Sequence, residues 1–259
     1  MSRIVTLYSY RGGTGKSTSA VNLACLLAGN GERVAVVDTD LQSPTVHTLL
    51  DITGVPEWIS FTDYLIGRCT LKEAVREIDP SVWSPEPDNP GGHLFAVPAC
   101  NRSYKVAEIM DRGYDIGLLH EAFDELIEEY GLDTLVLDTH AGTTNETAVA
   151  VARSDTLVII ARNDRVDLVN APKAVEQVSE LTGARRLLAV GMVPTGGLTS
   201  AAVDELEAAY RAPVVALLPV VPALVEGAVS GVFVRDLPGH RLSEQYRQLA
   251  DRVLVEAAR

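Results

Sequence analysis

The chain is poor in cysteine, in long apolar runs and in positive charge, and each shortage excludes something. Its three cysteines, Cys25, Cys69 and Cys100, are odd in number and widely spaced. No C-x-x-C or Cys/His ligand spacing occurs, which argues against a disulfide framework and a structural zinc site. Nowhere do about 18 apolar residues follow one another, so no membrane-spanning helix is expected. The opening Met-Ser-Arg-Ile-Val-Thr-Leu-Tyr lacks the apolar core of a secretory signal. A reducing cytoplasm is therefore the expected location. Lysine and arginine number 22 against 35 aspartates and glutamates, a net charge of −13. That balance disfavours wholesale binding to a phosphate backbone. The excess acid lies in residues 1–150, with 22 acidic and 10 basic side chains; the rest of the chain carries 13 and 12. A local basic patch in the second half stays open.

What is present reads as one α/β domain spanning all 259 residues. Short β-branched runs at Ile4–Tyr8, Val34–Asp38, Leu94–Val97, Thr134–Asp138, Thr156–Ala161, Leu187–Val193 and Val214–Leu218 predict strands. Several are continuously apolar, as strands covered on both faces are. Helical patterns fall between them, near Ser17–Ala28, Ile116–Glu129, Asn145–Ala152, Val166–Leu181, Ser200–Tyr210 and Leu242–Glu256. Such alternation implies a mostly parallel, doubly wound sheet flanked by helices. The proline- and glycine-rich stretch Asp79–Gly92 predicts a loop, a candidate mobile insertion.

The most informative stretch is Tyr8-Ser9-Tyr10-Arg11-Gly12-Gly13-Thr14-Gly15-Lys16-Ser17-Thr18, which follows a strand and opens a helix. Gly12, Gly13 and Gly15 let backbone N–H groups turn inward around phosphate oxygens, with Thr14 and Thr18 flanking the cradle. The helix start adds its positive dipole end. Lys16 would reach the β- and γ-phosphates, and the Ser17 hydroxyl would bind Mg²⁺. Two carboxylates, Asp38 and Asp40, emerge at the end of the second predicted strand, beside this loop in a doubly wound sheet. The apolar run Leu135-Val136-Leu137 ends in Asp138, a pattern that holds Mg²⁺ through a carboxylate.

The loop lacks glycine at Tyr10 and instead reads basic-Gly-Gly-x-Gly-Lys-Ser. This resembles the deviant phosphate loop of the ParA/MinD family, P-loop ATPases that partition DNA and position cellular structures. Arg11 stands where that family has a signature lysine that reaches across a dimer to the partner's ATP. Asp38-Thr39-Asp40-Leu41-Gln42 resembles the family's first switch, and Asp138-Thr139-His140-Ala141-Gly142 its second. The resemblance implies bound ATP and Mg²⁺, with Asp40 positioning the attacking water and Asp38 supporting the metal shell. Arg11 and Lys16 would complete the catalytic set. His140 replaces a frequent proline and is read as a solvated or capping residue. The segment Leu217–Ala228 resembles a family stretch near the adenine, which makes Pro219 a base-contact candidate.

Slow ATP hydrolysis, a homodimer formed on ATP binding, and an activating or cargo protein partner follow from the same resemblance. Arg153, Arg162, Arg165, Arg185, Arg186, Arg211 and Arg235 offer a route to non-specific DNA binding. Leu242, Tyr246, Leu249, Val253 and Leu254 predict a core-packed last helix rather than one lying on a membrane. Two other readings remain open: a ligase-like metabolic enzyme of the same superfamily, and a nucleotide-binding regulatory module with little hydrolysis. An iron–sulfur relative is disfavoured because no cysteine follows Asp138.

Overall fold

Eight strands form one sheet in the order β3-β4-β2-β5-β1-β6-β7-β8. They are β1 (Arg3–Tyr8), β2 (Arg33–Asp38), β3 (Arg76–Glu77), β4 (His93–Val97), β5 (Thr134–Asp138), β6 (Thr156–Arg162), β7 (Arg185–Val193) and β8 (Val214–Pro219). All pair in parallel except β3, a two-residue antiparallel edge on β4. This computed structural model describes residues 2–52, 58–100, 102–221 and 230–255. The long helices are α1 (Lys16–Gly29), α6 (Ser103–Arg112), α7 (Gly117–Tyr130), α8 (Asn145–Ala152), α9 (Arg165–Ser179), α10 (Ser200–Tyr210) and α12 (Arg241–Leu254). Single-turn helices are α2 (Val46–Leu49), α3 (Phe61–Leu65), α4 (Leu71–Ala74), α5 (Pro80–Trp83) and α11 (Phe233–Asp236).

The period-2 alternation of side chains divides the strands between two helical layers. Val34 and Val36 of β2, with Val5 and Leu7 of β1, face α1 and α12. Ala35 and Val37 face the layer that holds α3, α4 and α7. Farther along the sheet, Leu157 and Ile159 of β6 pack with α9 and α10. Leu242, Tyr246, Leu249 and Val253 of α12 are all buried, so this helix belongs to the core. Among the described residues no helix is long and apolar enough to cross a membrane.

The strands fall where the apolar runs predict them, to within two residues at each end. The edge strand β3, the single-turn helices α2 to α5 and α11, and helix α6 were not foreseen. The edge strand β3 is too short for any alternation to register. Helix α6 buries only Lys105 and Ile109, so its apolar stripe is too thin to read. The 79–92 segment is not loop throughout: Asp79 caps α5 by accepting from the Ser81 N–H, and Pro80 occupies its first turn. Trp83, 1% exposed, donates its indole N–H to the Ile78 carbonyl. The proline that speaks against a strand is well suited to the start of a helix.

Parallel pairing fixes the site. Asp138 lies opposite Leu7 of β1 and opposite Asp38 of β2. Both carboxylates therefore leave the carboxyl ends of adjacent strands, next to the loop that follows Tyr8. In open α/β sheets this is where ligands bind.

Candidate nucleotide site

The loop between β1 and α1 contains two residues that require glycine. Gly13 (φ +72°) and Gly15 (φ +87°) are left-handed. Apart from each glycine's own chain neighbours, no heavy atom of the described residues lies within 4 Å of where a Cβ would sit on Gly12, Gly13 or Gly15, so the loop borders open space. Gly15 is also the N-cap of α1, and no side chain caps that end. The first turn of α1 has no acidic residue. The orphan amides of the helix start are thus left for an anion. Gly13→Ala places a methyl group in that space and a side chain at positive φ, which costs about 1–2 kcal/mol. ATP affinity is expected to fall about tenfold in a folded protein, as calorimetry would show.

Lys16 points at the strand ends. Its Nζ lies 2.6 Å from Oδ1 of Asp138, and the two side chains are 7% and 0% exposed. The other oxygen of Asp138, Oδ2, is buried with no partner, as is the Thr14 hydroxyl. Asp38 is wholly buried. Its carboxylate accepts from the N–H groups of Asp40 (3.1 Å), Thr45 (3.0 Å) and Val46 (3.1 Å). Burial, and then the neighbouring Asp138, push its pKa well above the ordinary 3.8. Asp40 closes the group: its Oδ1 accepts from the Gln42 and Ser43 N–H groups and from His140 Nδ1 at 2.9 Å. Of these three carboxylates, Asp138 alone is paired with the Lys16 ammonium among the described residues.

This donor set fits a magnesium-bound polyphosphate. Among the described residues Asp138 has a buried oxygen without a partner, and a glycine loop that borders open space and leads into uncapped helix amides follows the adjacent strand. Ser17 and Thr18, at the start of α1, are half-buried. The raised pKa of Asp38 has a measurable consequence. The folded chain keeps a proton there that the unfolded chain releases above pH 3.8. Its contribution to stability is full below that value and is lost as pH rises through the elevated folded pKa. Added Mg²⁺ should recover the loss at neutral pH. Melting curves across pH, with and without Mg²⁺, check this; a profile indifferent to both would contradict it.

The predicted residues do not all converge. Gly12 to Thr18, Asp38, Asp40 and Asp138 meet at the strand ends. Arg11 turns away from them onto its own chain: Nε lies 2.6 Å from Asp167 Oδ1 and Nη2 2.5 Å from Asp164 Oδ2. Asp164 caps α9 by accepting from the Val166 and Asp167 N–H groups, and the buried Asp167 accepts from Arg162 N–H. These partners for Arg11 were not foreseen. An acid pair three residues apart predicts a helix cap, but not its reach back to a loop 153 residues earlier. His140 is likewise not merely solvated, since its ring bridges to Asp40. Pro219 ends β8, three strands from β1, opposite Val193. The 222–228 part of the adenine-like segment lies outside the described residues.

A glycine loop from the central strand into a helix, with a buried lysine on a strand-end aspartate, defines a phosphate-loop NTPase fold. A profile of the ParA family, described as NUBPL iron-transfer P-loop NTPase, matches residues 1–193. The chain belongs to the ParA family. It is 26% identical over 231 residues to an uncharacterized ATP-binding protein of Methanocaldococcus jannaschii, covering 89% of this chain and 79% of that one. It is 31% identical over 140 residues to the antiactivator FleN of Pseudomonas aeruginosa, covering 54% of this chain and 43% of FleN. In fold it matches the septum site-determining protein MinD of Pyrococcus horikoshii, solved with Mg-ADP. The TM-score is 0.77 at 21% identity, over 98% of this chain and 96% of that one.

Proposed function

We propose that this protein is an ATP-dependent switch that hydrolyses ATP slowly and closes into a homodimer while ATP is bound. The buried Lys16–Asp138 pair carries this reading, with its unpartnered carboxylate oxygen beside the open glycine loop. The amides of Gly12 to Ser17 and the Lys16 ammonium would hold the phosphates. Ser17 and Asp138 would hold Mg²⁺, supported by Asp38, and Mg²⁺ would supply charge neutralisation for phosphoryl transfer. Asp40 would orient the attacking water. Arg11, held on α9 by Asp164 and Asp167, would be released onto the partner's phosphates when two copies meet. Pro219 would lie near the base.

The partner of such a switch is proposed to be a protein, not DNA. Of the seven arginines named above as DNA candidates, Arg153, Arg162, Arg211 and Arg235 are spent on nearby carboxylates, and Arg185 on backbone carbonyls. Iron–sulfur transfer, named for the matched family, is less well supported. Cys25 is buried in α1, and burial pushes the Cys69 thiol up to about 11. One observation favours a second reading, an ATP-dependent enzyme acting on a small metabolite: a cavity of about 230 Å³ lined by Gln42, Tyr114, His140 and Glu146. Turnover stimulated by a metabolite rather than by a protein would mark that case.

The deciding experiment is light scattering of Asp40→Ala with saturating ATP and Mg²⁺. A dimer that needs ATP and is absent with ADP supports the switch. A strict monomer under saturating ATP overturns it.

A further inference from the structure

The two switch segments meet through Thr39, whose hydroxyl donates to the Asp138 carbonyl, and, at the Asp40 carboxylate, through the ring of His140. All three donors to Asp40 fall on Oδ1: the Gln42 N–H at 3.2 Å, the Ser43 N–H at 2.8 Å and His140 Nδ1 at 2.9 Å. The first two come from Asp40's own turn and can travel with it. Only the third comes from elsewhere, 100 residues away at the exit of β5. A carboxylate accepts and does not donate, so Nδ1 carries the proton. The histidine is itself anchored on both sides. Its carbonyl accepts from the Thr147 hydroxyl of α8, and two residues later the Gly142 N–H donates to the carbonyl of Ser9 in the phosphate loop. The side chains of His140 and Asp40 are 28% and 12% exposed, which keeps water from competing freely for the bond.

We propose that His140 is a positioning residue for hydrolysis: through Nδ1 it holds Asp40 at a fixed distance from the phosphate loop and leaves Oδ2 to meet the attacking water. The proposal rests on the switch reading above. Among the described residues no protein donor reaches Oδ2 of Asp40. The N–H and hydroxyl of Thr39 tie the start of this turn to the Asp138 carbonyl, but without the ring the Asp40 carboxylate itself is held only by the Gln42 and Ser43 N–H groups of its own turn, and displacement by about 1 Å can cost about 100-fold in rate.

The test compares His140→Ala with His140→Asn, whose amide N–H can take the place of Nδ1–H. In His140→Ala, kcat is expected to fall about tenfold or more, as for other residues that orient a catalytic group. KM and calorimetric ATP affinity should stay within about twofold, because His140 touches no phosphate-binding group. His140→Asn should recover most of kcat. An independent readout is the ring ¹⁵N spectrum of the nucleotide-free protein. It should report the Nδ1–H tautomer in wild type and the Nε2–H tautomer in Asp40→Ala. Equal losses in both His140 variants with a lowered melting temperature would mean a structural role and overturn the proposal. So would a tautomer indifferent to Asp40. Wild-type turnover matched by His140→Ala overturns this role alone, whereas no turnover in the wild type overturns the switch reading and this role together.

Discussion

Replacing Lys16 by alanine is expected to weaken ATP binding about 100-fold and also to destabilise the nucleotide-free fold by about 3 kcal/mol. The affinity loss follows from removing a charge-assisted contact to phosphate, worth about 1.5–3 kcal/mol. The stability loss has a different origin. Among the described residues the Lys16 ammonium is the only cation paired with Asp138, and both groups are at least nine-tenths buried. Removing one partner of a buried pair leaves the other desolvated and uncompensated, which costs about 3–5 kcal/mol. The lower end is expected because the open space beside Gly12 and Gly13 lets water approach the vacated position. Asp38, opposite Asp138 in register, makes the deficit worse. Adding Asp38→Asn to Lys16→Ala should therefore restore part of the stability while nucleotide binding stays lost. Denaturant unfolding of the double-mutant cycle, with calorimetry for ATP, separates the two effects. A Lys16→Ala protein as stable as wild type would show that the pair is not buried in solution.

Asp40→Ala should do the opposite: leave ATP bound and stop its turnover. Asp40 makes no contact with Lys16 or the glycine loop among the described residues, and its carboxylate is held by its own turn and by His140. Loss of a group that positions or deprotonates the nucleophile costs about 10²–10⁴ in rate. Single-turnover hydrolysis is expected to fall at least about 100-fold, with ATP affinity within a few-fold of wild type. The ATP-bound state then accumulates, which is why this variant suits the sizing experiment. Unchanged turnover in Asp40→Ala would remove Asp40 from the mechanism and, with it, the reason for His140 to matter.

Much of this site was legible because it is local. The phosphate loop is a continuous run of residues, and its chemistry follows from glycine conformations and a helix start. Asp38 and Asp138 were legible for a related reason: each ends an apolar strand, and parallel register brings such ends together. The contacts of Arg11 and His140 were not. Both are long side chains on irregular segments, and their partners lie 153 and 100 residues away. No periodicity encodes such a meeting. Helix α6 and edge strand β3 escaped for want of signal, since one buries little and the other is two residues long.

The order of residues alone was enough to establish the parallel α/β sheet and the phosphate-binding loop, because apolar runs, glycines and strand-end acids act through near neighbours. Folding alone decided how the charges pair. It set Lys16 against Asp138, drew Arg11 onto α9 and set His140 against Asp40. Those pairings depend on distances across the sheet and on which groups lose water, and neither quantity exists until the layers have packed.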